Sequence, residues 1–249
     1  MSGLLEGRRA LVTGGGRGLG AAIVARLAAE GAVGLIADLP VSLPAEPLPG
    51  WSTAPVDVRD ERSVEAAFDA AADAGPLHLV VACAGVVPEW QTTAQLDIDR
   101  WDDVFAINAR GVALTLRETA RRIAAGGSVV VVASLNGWRG DPNIASYVAS
   151  KHAAVGLTRA VALDLGRRGV RVNALAPGPI ATEALQDRMR ARAARGGPPP
   201  ADALAAAAEQ TALGRIATTE DVANAALFLA SDLSAGVTGH LLPVDGGLA

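Results

Sequence analysis

Residues 9–30 constrain the fold more than any other stretch. An apolar run, RALVT at 9–13, passes through TGGGRGLG at 13–20 into an alanine-rich amphipathic segment that Gly31 ends. An apolar run, a glycine turn and a helix in that order predict the first β-α step of an α/β sheet. Glycine in such a turn permits positive φ and admits close neighbours that a Cβ would exclude.

The same alternation continues to the end of the chain. Apolar runs are expected to form strands at 33–37 (VGLIA), 52–56, 77–82 (LHLVVA), 128–133 (SVVVVA), 170–175 and 241–244. Amphipathic stretches predict helices at 18–30, 61–73, 99–124, 144–167 and 219–230, the third of them long and continuous. Strands that are apolar throughout suit parallel pairing with both faces covered. The expected fold class is therefore α/β: a single-domain, Rossmann-like, doubly wound parallel sheet with helices on both faces, spanning 1–249.

Two connections break the rhythm. Residues 39–56 (LPVSLPAEPLPGWSTAPV) carry five prolines, which exclude a regular helix and predict an extended crossover. Residues 181–213 are rich in arginine and alanine and are interrupted by GGPPP, which predicts a helix–loop–helix lid.

Composition narrows the class of protein. Half of the 249 residues are hydrophobic, and the net charge of −4 gives no reason to expect a nucleic-acid partner. No apolar run approaches the roughly 20 residues of a membrane span, and the start of the chain lacks the order of a signal peptide. One cysteine excludes an internal disulfide, and three scattered histidines make a metal site unexpected. A cytoplasmic location is the expectation.

The turn at Gly14, Arg17, Gly18, Leu19 and Gly20 has the chemistry for a dinucleotide. Its glycines let a pyrophosphate approach the backbone, and the helix N-terminus offers free N–H groups and a positive dipole end. Asp38 ends the second strand eighteen residues after Gly20, where a carboxylate accepts hydrogen bonds from ribose hydroxyls and repels a 2′-phosphate. NAD is thus expected over NADP, although Arg17 has the charge to favour the phosphate.

Residues 146–152 read SYVASKH, and Tyr147 and Lys151 are the only tyrosine and the only lysine of the chain. Spacing i, i+4 puts them on one helical face. Together with the glycine turn, they make the chain resemble the short-chain dehydrogenase/reductase family along essentially its whole length. Asp57 and Val58 match the family's adenine-contacting pair, and Ala84 and Gly85 the segment after its fourth strand. There the family's N-N-A-G reads ACAG, with Cys83 as a packed small residue. Asn108 corresponds to its structural and proton-relay asparagine, and Ser134, thirteen residues before Tyr147, to its serine. In PGPIAT at 177–182, Pro177 and Gly178 lead to Ile180 and Thr182, which the resemblance assigns to the nicotinamide carboxamide. DGG at 245–247 is a further family feature.

The resemblance implies hydride transfer between NAD(H) and a secondary alcohol or ketone. Ser134 would hold the substrate oxygen, Tyr147 would transfer the proton, Lys151 would bind the nicotinamide ribose, and Asn108 would hold a water leading to solvent. A tyrosine has a reference pKa of about 10. A cation about 5 Å away, at an effective dielectric of about 20, contributes roughly 3 kcal/mol, or about 2 pKa units downward. An ammonium suits ribose hydroxyls and water better than a guanidinium does.

Trp90, Trp138 and Leu185 are the expected substrate contacts, with Val87, Leu135 and Arg139 nearby. The two tryptophans are candidates for an aromatic wall, and Arg139 for attracting an acidic substrate. The short crossover makes a cyclic diol or polyol a candidate. A homotetramer or homodimer is implied by the family, with Ala153, Ala154, Leu157 and Val161 suited to close helix contact. Two alternatives stay open: an NADPH-dependent ketoreductase such as a 3-oxoacyl-carrier-protein reductase, and a dinucleotide-sensing protein without turnover.

Overall fold

The computed structural model describes residues 3–248. Seven strands form one wholly parallel sheet in the order β3-β2-β1-β4-β5-β6-β7. They are β1 (Arg9–Thr13), β2 (Val33–Asp38), β3 (Trp51–Pro55), β4 (Leu77–Ala82), β5 (Ile123–Val132), β6 (Arg171–Pro177) and β7 (Leu241–Val244). β1 pairs on one side with β2 and on the other with β4. The chain therefore reverses its direction of travel across the sheet there, and ligands of such sheets bind in the crevice beyond the strand ends at that switch.

The helices follow the strands: α1 (Gly18–Ala29), α2 (Glu61–Asp73), α3 (Ile98–Phe105), α4 (Val112–Arg122), α5 (Ala145–Leu165), α6 (Glu183–Ala193), α7 (Pro200–Glu209) and α8 (Thr219–Ala230). Two apolar layers cover the sheet. Val64 and Phe68 of α2, Leu116 of α4 and Ala154 and Ala162 of α5 join Leu11, Val80 and Val129 on one face. Ile23, Val24 and Leu27 of α1 and Val222, Ala226 and Leu229 of α8 join Val12, Val81 and Val130 on the other. Adjacent residues of one strand thus enter opposite layers, which is why these strands are apolar throughout.

The expected long helix over 99–124 is divided. α3 passes through a π-helical turn, Ala106–Gly111, into α4, and the chain leaves the helix at Arg122 to begin β5 at Ile123. Val58 packs so closely on Gly111 that a Cβ there would lie 2.8 Å from its Cγ2. The turn also holds Asn108, and insertions of this kind gather at functional sites.

The proline-rich crossover contains no α-helix, as expected, only a 3-10 turn at Pro40–Ser42 before β3. That turn lies over the glycine segment, since a Cβ on Gly16 would meet the Ser42 carbonyl at 2.0 Å. Residues 181–213, expected to form a helix–loop–helix, carry two helices, α6 and α7, joined by a loop. Of the α5 residues expected at a subunit contact, Ala154 is fully buried, while Ala153, Leu157 and Val161 are half-buried, the last two packing on the same core. The helical period instead leaves Gly156, Ala160 and Leu163 exposed.

Candidate active site

Between β1 and α1 the chain turns at Gly14 (φ 68°) and Gly18 (φ 55°), in the left-handed region that favours glycine. A Cβ on Gly14 would stand 2.5 Å from the Ala84 nitrogen, and one on Gly20 would stand 1.9 Å from the Gly14 carbonyl. Gly14, Gly20 and Ala84 therefore interlock the ends of β1 and β4 at the switch. Around Gly18 the space is open. α1 begins without a side-chain cap from Arg17, which is exposed, so its first N–H groups face that space uncapped. This arrangement fits an anionic pyrophosphate.

Asp38 closes the turn from the second strand. Its Oδ2 accepts the Gly16 N–H at 2.9 Å, and its Oδ1 accepts the Leu39 N–H at 2.7 Å. Asp57 is engaged differently. Arg59 donates to both carboxylate oxygens at 2.7–3.0 Å and holds the Asp57 carboxyl below the usual range. Val58 beside it is buried. Cys83, just after β4, has its thiol pushed up to about 12 by burial, with Lys151 acting in the opposite sense. It is a packed thiol, as the sequence suggests, and not a nucleophile near neutral pH.

The Ser134, Tyr147 and Lys151 side chains come together at the ends of β4 and β5. Ser134 follows β5, and its Oγ accepts the Asn136 N–H at 3.2 Å, leaving its own proton to donate. That hydroxyl hydrogen-bonds Tyr147. Lys151 is buried, donates to the Val132 carbonyl at 2.9 Å, and lies 5.7 Å from the Tyr147 ring centroid.

Protonation of this group departs from the sequence expectation. Burial raises the Tyr147 pKa, and it outweighs the Ser134 hydrogen bond and the Arg188 charge, which lower it. Lys151 is itself lowered by burial to about 8. The sequence expectation left out desolvation, which decides the sign.

Asn108 is fully buried and acts as a clasp. Its Oδ1 accepts the Val86 N–H at 2.8 Å, and its Nδ2 donates to the Val86 carbonyl at 2.8 Å and to Ser150 Oγ at 3.2 Å. Gly85 passes between this clasp and the lysine: a Cβ there would lie 3.3 Å from Asn108 Oδ1 and 3.4 Å from Lys151 Nζ.

β6 ends at Pro177. Gly178 donates its N–H to the Val244 carbonyl at 3.0 Å, Ile180 is buried, and the Thr182 hydroxyl caps α6 by accepting the Leu185 N–H at 3.3 Å. Leu185 is half-buried. The expected aromatic wall does not form. Trp138 follows a 3-10 turn at Leu135–Gly137 that carries it outward, 52% exposed, into a hollow shared with Arg159, His240 and Pro243. Trp90 lies instead against α6, with the Arg188 guanidinium 4.1 Å and that of Arg192 5.1 Å from its ring centroid.

The sequence reading missed Arg188. It took this residue only as part of the Arg- and Ala-rich segment 181–213. The helical period was the usable signal, because 188, 192 and 195 share a face and 190 does not.

A glycine turn at the switch point and a serine–tyrosine–lysine group beyond the ends of the neighbouring strands place the chain among Rossmann-fold oxidoreductases. Comparison with known proteins narrows the class: residues 14–249 match the family model described as enoyl-(acyl carrier protein) reductase. A cis-4-hydroxycyclohexanecarboxylate dehydrogenase of Sinomonas cyclohexanicum is 38% identical, over 96% of each chain. A mitochondrial (−)-isopiperitenol/(−)-carveol dehydrogenase of Mentha piperita is 38% identical over 98% of this chain and 94% of its own. Among solved structures, carveol dehydrogenase from Mycobacterium avium in complex with NAD superposes with a TM-score of 0.89 at 32% identity, covering 98% of both chains. The chain belongs to the short-chain dehydrogenase/reductase family. No helix of the described residues is long and apolar enough to cross a membrane.

Proposed function

We propose that the protein is an NAD-dependent dehydrogenase of secondary alcohols, with Tyr147 as the group that moves the proton. The observation that carries this reading is the Ser134–Tyr147 hydrogen bond with Lys151 Nζ 5.7 Å from the centroid of the tyrosine ring. A bound nicotinamide would supply the hydride acceptor. Tyr147 takes the hydroxyl proton of the alcohol as the carbinol carbon loses its hydride, which leaves a ketone. Ser134 donates to the substrate oxygen and stabilises the charge that develops there. The Lys151 ammonium binds the nicotinamide ribose and passes the proton on toward solvent. Asn108 holds the segment after β4 against α5 and keeps the water of that relay in place.

Gly14, Arg17, Gly18, Leu19 and Gly20 hold the pyrophosphate in this reading, and Asp38 the adenosine ribose. Asp57, Val58, Ala84 and Gly85 flank the adenine and the ribose. Pro177, Gly178, Ile180 and Thr182 flank the nicotinamide. Asp38 favours NAD, and the NAD-bound relative agrees. The relatives' substrates, by name, are alicyclic or terpenoid alcohols, which makes a cyclic secondary alcohol the leading candidate here. A homodimer or homotetramer formed on the exposed Gly156, Ala160 and Leu163 face of α5 belongs to the same reading.

One observation favours a second reading. Arg17 is exposed beside the turn, where it can pair with a 2′-phosphate, as an NADPH-dependent ketoreductase requires. A screen of cyclic alcohols, diols, polyols and hydroxy acids with NAD and with NADP, read by the absorbance of the reduced cofactor, separates the two. Turnover with NAD at lower cofactor concentration supports the first reading, and tighter use of NADP replaces it with the second.

A further inference from the structure

We propose that the substrate of this site carries a carboxylate, and that Arg188 of the lid binds it; the proposal rests on the dehydrogenase reading above. Arg188 sits in the middle of α6 and turns inward. Its Nε and Nη2 atoms are buried and have no hydrogen-bond partner in the folded chain. Those two atoms form one edge of the guanidinium, with parallel N–H donors at the spacing of the two oxygens of a carboxylate. Two buried donors of a charged group left unmet are costly to maintain and call for a partner from outside the chain.

The surroundings leave this edge for a ligand. The nearby acids are engaged elsewhere. Glu89 pairs with Arg195 at 2.9 Å, Asp187 pairs with Arg190, and Asp141 accepts from Asn136 Nδ2 at 3.1 Å. The Trp90 ring lies 4.1 Å from the Arg188 guanidinium, a stacking contact that holds it in place. Arg188 lines a hollow of about 520 Å³ between the Trp90 loop and α6, together with Trp90, Asp187, Arg192 and Gly197. Ser134, Tyr147 and Lys151 do not line that hollow. The Trp90 loop is tied to the chain entering α5, where Gln91 donates its N–H to the Asn143 carbonyl at 2.7 Å four residues before Tyr147, and the Arg188 charge acts on the Tyr147 hydroxyl. A molecule with a hydroxyl at Tyr147 and a carboxylate several bonds away on the same ring or chain would span them.

The reaction itself is unchanged. The carbinol C–H bond breaks with its electron pair going to nicotinamide, the O–H proton goes to Tyr147, and the carboxylate is a handle that does not react.

The test compares 4-hydroxycyclohexanecarboxylate with its neutral carboxamide, and with cyclohexanol, as substrates of the full chain with NAD and NADP. The wild type is expected to favour the acid over the amide by about 100-fold in kcat/KM, since a site built for one polar group discriminates strongly against its absence. Arg188→Gln should reduce that ratio to about threefold or less, and Arg188→Lys, which keeps the charge without the fork, should give an intermediate ratio. Equal use of acid and amide by the wild type, or an unchanged ratio in Arg188→Gln, overturns the carboxylate proposal while leaving the dehydrogenase reading intact. If no alcohol is oxidised, equilibrium binding decides through tryptophan fluorescence, because Trp90 lies against the guanidinium. Saturable binding of the acid to the wild type but not to Arg188→Gln supports the role of Arg188 and sinks the dehydrogenase reading. Absence of saturable binding to the wild type overturns the proposal.

Discussion

Replacing Asn108 by alanine tests whether the segment after β4 is fastened to the catalytic helix through one side chain. The substitution removes the contacts to the Val86 N–H, the Val86 carbonyl and Ser150 Oγ at once. Val86 is 39% exposed, so water can reach part of what is released. About 1 kcal/mol for each of the three bonds is therefore appropriate, giving a loss of about 3 kcal/mol. For a chain of this size each kcal/mol moves the melting temperature by roughly 2–4 °C, so a fall of roughly 6–12 °C is expected in thermal unfolding followed by circular dichroism. Asn108→Asp keeps the acceptor for the Val86 N–H but loses both donations, and it should be at least as destabilised because it also buries a charge. Turnover should fall in both variants at temperatures where they remain folded, since Gly85 and Lys151 lie against the same clasp. An Asn108→Ala protein that melts within about 1 °C of the wild type would refute the reasoning.

Three other substitutions probe the cofactor turn and the buried lysine. Asp38→Asn keeps an acceptor for the Gly16 N–H and removes the charge, so affinity for NADPH relative to NADH should rise about 10- to 100-fold by titration; an unchanged ratio contradicts the role given to Asp38. Gly20→Ala would place a Cβ 1.9 Å from the Gly14 carbonyl, and an overpacking cost of about 1–3 kcal/mol should weaken NADH binding about 5- to 100-fold; wild-type affinity would show that the turn yields freely. Burial lowers Lys151 to about 8 from its ordinary 10.5. Between those values the unfolded chain keeps a proton that the folded chain has released, so the contribution of this group to stability rises with pH across that window. Urea unfolding at pH 7.5 and pH 10 should show the wild type gaining stability relative to Lys151→Met, and equal changes in the two proteins would contradict the burial of the ammonium.

The fold was legible because its signals are local and repeated. Each inner strand is an apolar run covered on both faces, glycine at 14 and 18 is favoured by positive φ, and glycine at 20 by the Gly14 carbonyl against it. The serine, tyrosine and lysine were legible from spacing within one helix and from their place after a strand. What escaped depends on packing. Nothing in the residues 99–122 distinguishes an α-helix from one with a π-helical turn; close contact of Val58 with Gly111 and the clasp on Val86 accompany it in three dimensions. Trp138 follows the serine as expected, but one 3-10 turn rotates it outward. The sign of the Tyr147 shift escaped because a pairwise charge estimate omits desolvation, and burial becomes known only once the helices are packed. Arg188 escaped because four lid arginines look alike until α6 fixes which face meets Trp90.

Tyr147→Phe tests the central claim most directly, because it removes one hydroxyl and keeps the ring beside Lys151. Turnover of a cyclic secondary alcohol found in the cofactor screen and NADH binding should be measured on the same preparation. The proton-transfer role of Tyr147 predicts a loss of at least about 100-fold in kcat, at the lower bound of general acid–base contributions, with NADH affinity within about threefold of the wild type. Wild-type turnover in Tyr147→Phe would contradict it.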